Sequence, residues 1–117
     1  MSDIIKIYHN PRCSKSRQTL EILQSRQQNL SIVEYLKTPP TVQELEHILD
    51  MLDMEPRQLM RTKEEEYKAL GLDNNSLSKQ QLIQAMVEHP KLIERPIVIH
   101  NNKAVIGRPP EKILEIL

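Results

Sequence analysis

Ile4-Ile5-Lys6-Ile7-Tyr8-His9-Asn10-Pro11-Arg12-Cys13-Ser14-Lys15-Ser16-Arg17 is the stretch from which the rest of the chain can be read. Ile4 to Tyr8 is β-branched and aromatic and runs into His9-Asn10-Pro11, so it predicts a short strand ending at a turn. From Ser14 to about Gln27 there is neither Gly nor Pro, good helix formers dominate, and Leu20, Ile22 and Leu23 gather near one face. A helix therefore begins at or just after Cys13. Leu30 to Tyr35 reads as a second strand before Thr38-Pro39-Pro40. The first third is strand, helix, strand.

Beyond it, Thr41-x-x-Glu44 is a capping box followed at helical spacing by Val42, Leu45, Ile48, Leu49 and Leu52. Pro56 to Met60 and Glu64 to Leu70 predict shorter helical pieces, the latter closed by Gly71 at a C-cap position. Ser78-x-x-Gln81 is a second capping box, leading into Leu82, Ile83, Met86 and Val87 before His89-Pro90 stops the helix. Pro96 to His100, the pair Asn101-Asn102, and Lys103 to Ile106 predict an antiparallel hairpin with a tight turn. A closing helix is expected from Pro109-Pro110, carrying Ile113, Leu114 and Leu117. The order is βαβ, a helical insert over about 41–90, then ββα, with no repeat or flexible linker, and the insert is expected to pack on the same core.

The chain has 117 residues, the length of one domain, and 38% of them are hydrophobic, enough for one core. With 16 Lys and Arg against 16 Asp and Glu there is no global field to draw it to nucleic acid or an anionic membrane, so an anion site must be local. Only Gly71 and Gly107 occur, which excludes the glycine-rich dinucleotide and nucleotide loops. Without Trp or Phe, and with three Tyr, there is no base-stacking platform. No apolar run approaches the roughly 18 residues of a membrane span, and Met1-Ser2-Asp3-Ile4-Ile5 lacks a basic n-region and cleavage site. The expected compartment is the cytoplasm, where the single cysteine, Cys13, stays a reduced thiol.

Cys13 stands where a strand ends and a helix begins, facing orphan backbone N–H groups and the positive end of the helix dipole. A free cysteine is commonly just a small buried hydrophobe. Here the flanks are polar and cationic, which is where thiolates are found. Lowering a thiol pKa from about 8.5 to about 6 raises the ionised fraction at neutral pH from about 3% to about 90%, a difference of about 3.4 kcal/mol. The helix terminus contributes at most about 2 kcal/mol, so neighbouring cations are required. His9, Arg12, Lys15 and Arg17 are the nearby candidates, while Ser14 and Ser16 offer hydroxyls to a thiolate or to an anion beside it.

His9-Asn10-Pro11-Arg12-Cys13-Ser14-Lys15-Ser16-Arg17 resembles the active-site segment of the glutaredoxin-coupled arsenate reductase family. Matches continue in order through Tyr35-Leu36-Lys37-Thr38-Pro39-Pro40, Leu59-Met60-Arg61, Tyr67 to Leu72, Arg95-Pro96-Ile97-Val98 and Gly107-Arg108-Pro109. The resemblance implies one α/β domain over 1–117 with a thioredoxin-like mixed sheet, here in a short-chain member ending at Leu117. Ser14 stands where the better-known members carry glycine. It also implies Cys13 as nucleophile, His9 as a group lowering its pKa, and Arg61, Arg95 and Arg108 as ligands that bind and polarise the oxyanion. Ser16, Arg17 and Pro96 are implied in support, with Arg95-Pro96 at the cis-proline loop. The arginine fork suits a tetrahedral anion because it grips two oxygens and stays charged at any working pH. A lone thiol needs an outside sulfur to resolve its adduct, so the implied partners are glutathione, as reducing co-substrate, and a glutaredoxin, with no bound cofactor or metal.

Other readings are weighed on the same residues. Spx-like regulators bind RNA polymerase and sense oxidation through a C-x-x-C pair, but Ser16 occupies the second position. A thiol oxidoreductase acting on another substrate, including a glutathione adduct, shares the same pocket requirements. A cysteine phosphatase wants C-x5-R, and the segment offers Cys13-x3-Arg17. His9, His47, His89 and His100 are too scattered for a metal site. Glu64-Glu65-Glu66 reads as a solvated helix start.

Overall fold

β1 (Ile5–His9) is buried over nearly its whole length, with Ile5 and Ile7 on one face and Tyr8 on the other, as a central strand requires. The computed structural model describes residues 4–26 and 29–117. Met1 to Asp3, where a leader would begin, and Gln27, the expected end of the first helix, lie outside the described residues. α1 (Ser14–Arg26) crosses from β1 to β2 (Leu30–Glu34), which pairs with β1 in parallel, Ile7 opposite Ile32. A parallel pair needs such a crossover.

β3 (Ile97–His100) runs antiparallel to β1, and β4 (Lys103–Ile106) antiparallel to β3, completing a four-stranded mixed sheet in the order β2-β1-β3-β4. Asn101 and Asn102 both take positive φ, 51° and 62°, as a two-residue type I′ hairpin turn demands. Under one face of the sheet Ile5, Ile7, Val98 and Val105 meet Leu23 of α1 and Ile113.

The closing helix differs from expectation. It is a 3-10 helix over Pro110–Ile116, and its inward face is Pro110, Ile113 and Ile116, while Leu114 and Leu117 are exposed. A three-residue period stacks i and i+3, which selects Ile116 over the two leucines. Its end is fastened by a 2.7 Å hydrogen bond between His100 Nδ1 and the Ile116 carbonyl.

The chain forms two compact units, Met1–Thr38 with Arg95–Leu117, and Pro39–Glu94. The second contains the helical block. α2 (Val42–Leu52) starts at the Thr41 and Glu44 capping box and buries Leu45, Ile48 and Leu49. α3 (Pro56–Leu59) and α4 (Glu65–Ala69) follow, then α5 (Lys79–Glu88), capped by Ser78 and Gln81. Gly71 closes α4 at φ 67°, with Gly71 N–H on the Lys68 carbonyl and Leu72 N–H on that of Tyr67, a Schellman pattern. Arg57, to which the sequence drew no attention, ties this block together by donating to Tyr67 Oη at 3.3 Å and to the carbonyls of Leu72 and Asn74 at 3.0 and 2.7 Å. Among the described residues no helix is long and apolar enough to cross a membrane.

Candidate active site

Strand direction alone gathers the site. β1 ends, β3 begins and β4 ends at the same edge of the sheet, because β3 is antiparallel to both of its neighbours. The hairpin register sets Ile97 opposite Ile106, and continuing it outward brings Pro96 opposite Gly107 and Arg95 opposite Arg108. Two hydrogen bonds follow that register: Gly107 N–H donates to the Pro96 carbonyl at 2.9 Å, and Arg108 Nε to the Arg95 carbonyl at 2.8 Å. The Arg95-Pro96 bond is cis, as is Arg108-Pro109.

The loop leaving β1 reaches the same edge. Cys13 N–H donates to the Asn10 carbonyl and the Cys13 carbonyl accepts from Arg17 N–H, both at 3.0 Å, so Cys13 caps α1. Its thiol is buried, and Arg108 Nη2 points at Sγ from 3.6 Å. Burial pushes the Cys13 pKa up. The backbone N–H of Ser16, the charge and hydrogen bond of Arg95, and the N–H of Lys15 together outweigh it, leaving the thiol below its ordinary value. Helix terminus and guanidinium thus act in the same direction.

His9 lies 2.6 Å through Nδ1 from Ser16 Oγ, which also accepts from Asn10 N–H at 3.0 Å. Burial lowers the His9 pKa, Glu34 raises it and Arg17 lowers it again, with a net fall below the usual imidazole value. A neutral ring results at pH 7. Cys13 is therefore lowered by the N–H groups and Arg95, while His9 and Ser16 brace the loop below it. Arg17 folds back, donating from Nη1 to the Pro11 carbonyl at 3.0 Å, and pins the turn.

Arg61 belongs to the second unit. Its N–H donates to the Leu92 carbonyl at 2.7 Å and its Nη2 is 3.3 Å from Glu64 Oε2. The acidic run is thus more than a solvated helix start: Glu64 holds Arg61, and Glu66 pairs with Lys91 at 3.3 Å. Among the described residues no three His, Cys, Asp or Glu side chains gather as metal ligands. What the sequence missed is Thr19, fully buried one turn beyond Ser16 on the inward face of α1. The i, i+3 spacing from Ser16 was its only signal.

Residues 8–116 match the ArsC family. The chain belongs to that family. It is 54% identical over 118 residues to the uncharacterized protein YfgD of Escherichia coli, covering 100% of this chain and 99% of that one. It is 54% identical over 112 residues to an arsenate reductase of Haemophilus influenzae, covering 95% and 97%. The structure of an arsenate reductase from Vibrio cholerae superposes with a TM-score of 0.95 at 50% identity, over 100% of both chains. The four-stranded mixed sheet with α1 and the closing helix is the thioredoxin-like fold of ArsC proteins.

Proposed function

We propose that this ArsC-family chain reduces arsenate to arsenite, with Cys13 as nucleophile, Arg61, Arg95 and Arg108 as oxyanion ligands, and glutathione with a glutaredoxin as the source of electrons. The observation that carries the reading is the Cys13 sulfur under Arg108 Nη2 at 3.6 Å, with Arg95 acting on the same atom. The arsenate reductases of Haemophilus influenzae and Vibrio cholerae among its relatives support the substrate.

A thiolate attacks a tetrahedral oxyanion only if the mutual repulsion of the two anions is offset, and guanidinium groups at the sulfur do that. The sulfur–arsenic bond forms as one oxygen leaves, protonated, as water. Arsenic(V) then accepts two electrons, and two thiol equivalents of glutathione are oxidised to a disulfide. The chain has no second cysteine, so the resolving sulfur comes from outside. The His9 and Ser16 pair holds the loop on which Cys13 sits, and Pro96 and Arg17 shape its surroundings. The same reading places the protein in the cytoplasm, where the glutathione pool is reducing.

The test is arsenate-dependent NADPH oxidation coupled through glutathione, glutaredoxin and glutathione reductase. Turnover that requires both glutathione and glutaredoxin is expected. Arsenate reduction that proceeds equally well with thioredoxin alone would remove the coupling, and no turnover with any thiol donor would remove the substrate.

A further inference from the structure

Thr19 is a polar residue with no exposed surface, although it lies on a helix whose other buried members include the apolar Leu23. Its hydroxyl is satisfied within α1, donating to the Lys15 carbonyl at 2.8 Å. That bond fixes the side chain, and the fixed side chain lies against Gly107. A methyl group on Gly107 would come within 2.6 Å of Thr19 Oγ1, 3.2 Å of Thr19 Cγ2 and 3.0 Å of Pro96 Cγ. Real Cβ atoms do not approach so closely, so only glycine lets the strand end rest on this helix. The positions around the contact are telling. Thr19 stands six residues along α1 from Cys13. Gly107 is bonded to Pro96 and is followed by Arg108, and Pro96 is preceded by Arg95.

We infer that Thr19 and Gly107 form a positioning contact that sets the spacing between the Cys13 end of α1 and the paired loops bearing Arg95 and Arg108. Neither residue touches the sulfur. They fix how near to Cys13 Sγ the Arg108 guanidinium, now at 3.6 Å, is carried by its backbone. The contact is steric and therefore distance-setting, whereas the backbone bonds between the loops fix the arginines only relative to each other. The inference rests on the reading of Cys13 as nucleophile. Its readout is thiol ionisation, which is measurable whether or not arsenate is reduced.

The experiment is the pH dependence of Cys13 alkylation by iodoacetamide in the full chain, where a single cysteine makes the signal unambiguous. Gly107→Ala is expected to raise the midpoint by about one unit, a roughly tenfold lower ratio of thiolate to thiol at a given pH. Thr19→Ala, which leaves slack in the contact, should raise it by about half as much. In Thr19→Ala with Gly107→Ala the new methyl enters the space the threonine vacates. Its midpoint should lie nearer the wild-type value than that of Gly107→Ala, a coupling that independent sites do not show. Thermal melts run alongside separate a purely structural role, which lowers the melting temperature and leaves the midpoint in place. Unmoved midpoints in both single variants, or a double variant shifted by the sum of the singles, overturn the inference. Should Gly107→Ala fail to fold, Thr19→Ala decides alone, and a wild-type midpoint there overturns it.

Discussion

The first unit and the second both present arginines, but they restrain them by different means. Arg108 is held by backbone geometry: its Nε is spent on the Arg95 carbonyl, and the remaining edge of its fork faces Cys13 Sγ. Arg61 is held by a carboxylate, Glu64, in a partly exposed i, i+3 ion pair. A carbonyl fixes the direction of a guanidinium fork, whereas a carboxylate also answers part of its charge before a ligand arrives. The first arrangement sets a fork beside the sulfur; the second must exchange one anion for another.

Breaking the first arrangement has the largest expected effect. Cys13→Ser should abolish arsenate turnover in the coupled assay, because the hydroxyl that replaces the thiol is un-ionised at any working pH and no other thiol exists in the chain. Residual turnover above the uncatalysed rate would move the nucleophile elsewhere. Next come Arg95→Lys and Arg108→Lys, each expected to lower kcat/KM by about ten- to a hundredfold with the fold intact, judged by an unchanged circular dichroism spectrum. An ammonium is a point donor and cannot serve the Arg95 carbonyl and the sulfur at once as Arg108 does. If the lysine variants keep wild-type kinetics, the fork geometry is irrelevant and only charge counts.

Much of this comparison was legible in the sequence. The Asn101-Asn102 turn fixes the hairpin register, and the register alone sets Arg95 opposite Arg108. The junction of β1 and α1 put Cys13 at a helix start, and both capping boxes formed where they were read, at Thr41 and at Ser78. Other parts had no local signal. The bond between His9 and Ser16 spans seven residues and depends on how tightly the loop folds. Thr19 was hidden because a helical pattern read through Leu20, Ile22 and Leu23 counts only apolar residues, whereas the fully buried stripe is Ser16, Thr19 and Leu23. The closing helix was placed correctly by its prolines and Ile113 packs inward as read, but Ile116 lies inward in place of Leu114 and Leu117, since the choice between periods of 3.0 and 3.6 is made by packing and not by composition.

The second arrangement yields a smaller effect of opposite sign. Exposed ion pairs of this kind contribute about 0.2–1 kcal/mol. Glu64→Gln should therefore lower the arsenate KM by up to about fivefold, with kcat unchanged, by removing the competing charge from Arg61. In an Arg61→Ala background the same substitution should do nothing. A raised KM in Glu64→Gln would mean that the carboxylate orients Arg61 for the substrate, and the contrast between the two units would narrow.

The smallest effect is on stability, and its sign follows from the two shifted groups of the first unit. Cys13 ionises more readily folded than unfolded. Its contribution is therefore complete above the unfolded thiol value of about 8.5 and is lost as the pH falls through the lower folded value. His9 is also lowered, so the folded protein resists protonation there, and stability declines again as the pH falls from about 6.5 toward the depressed folded value. The melting temperature of the wild-type chain should then fall on acidification, with an upper step that begins near the unfolded thiol value of about 8.5 and a lower one that begins near about 6.5. Cys13→Ser should erase the upper step and spare the lower one. If the upper step survives in Cys13→Ser, some group other than this thiol is the anion that the arginines hold, and the distinction drawn between Arg108 and Arg61 loses its basis.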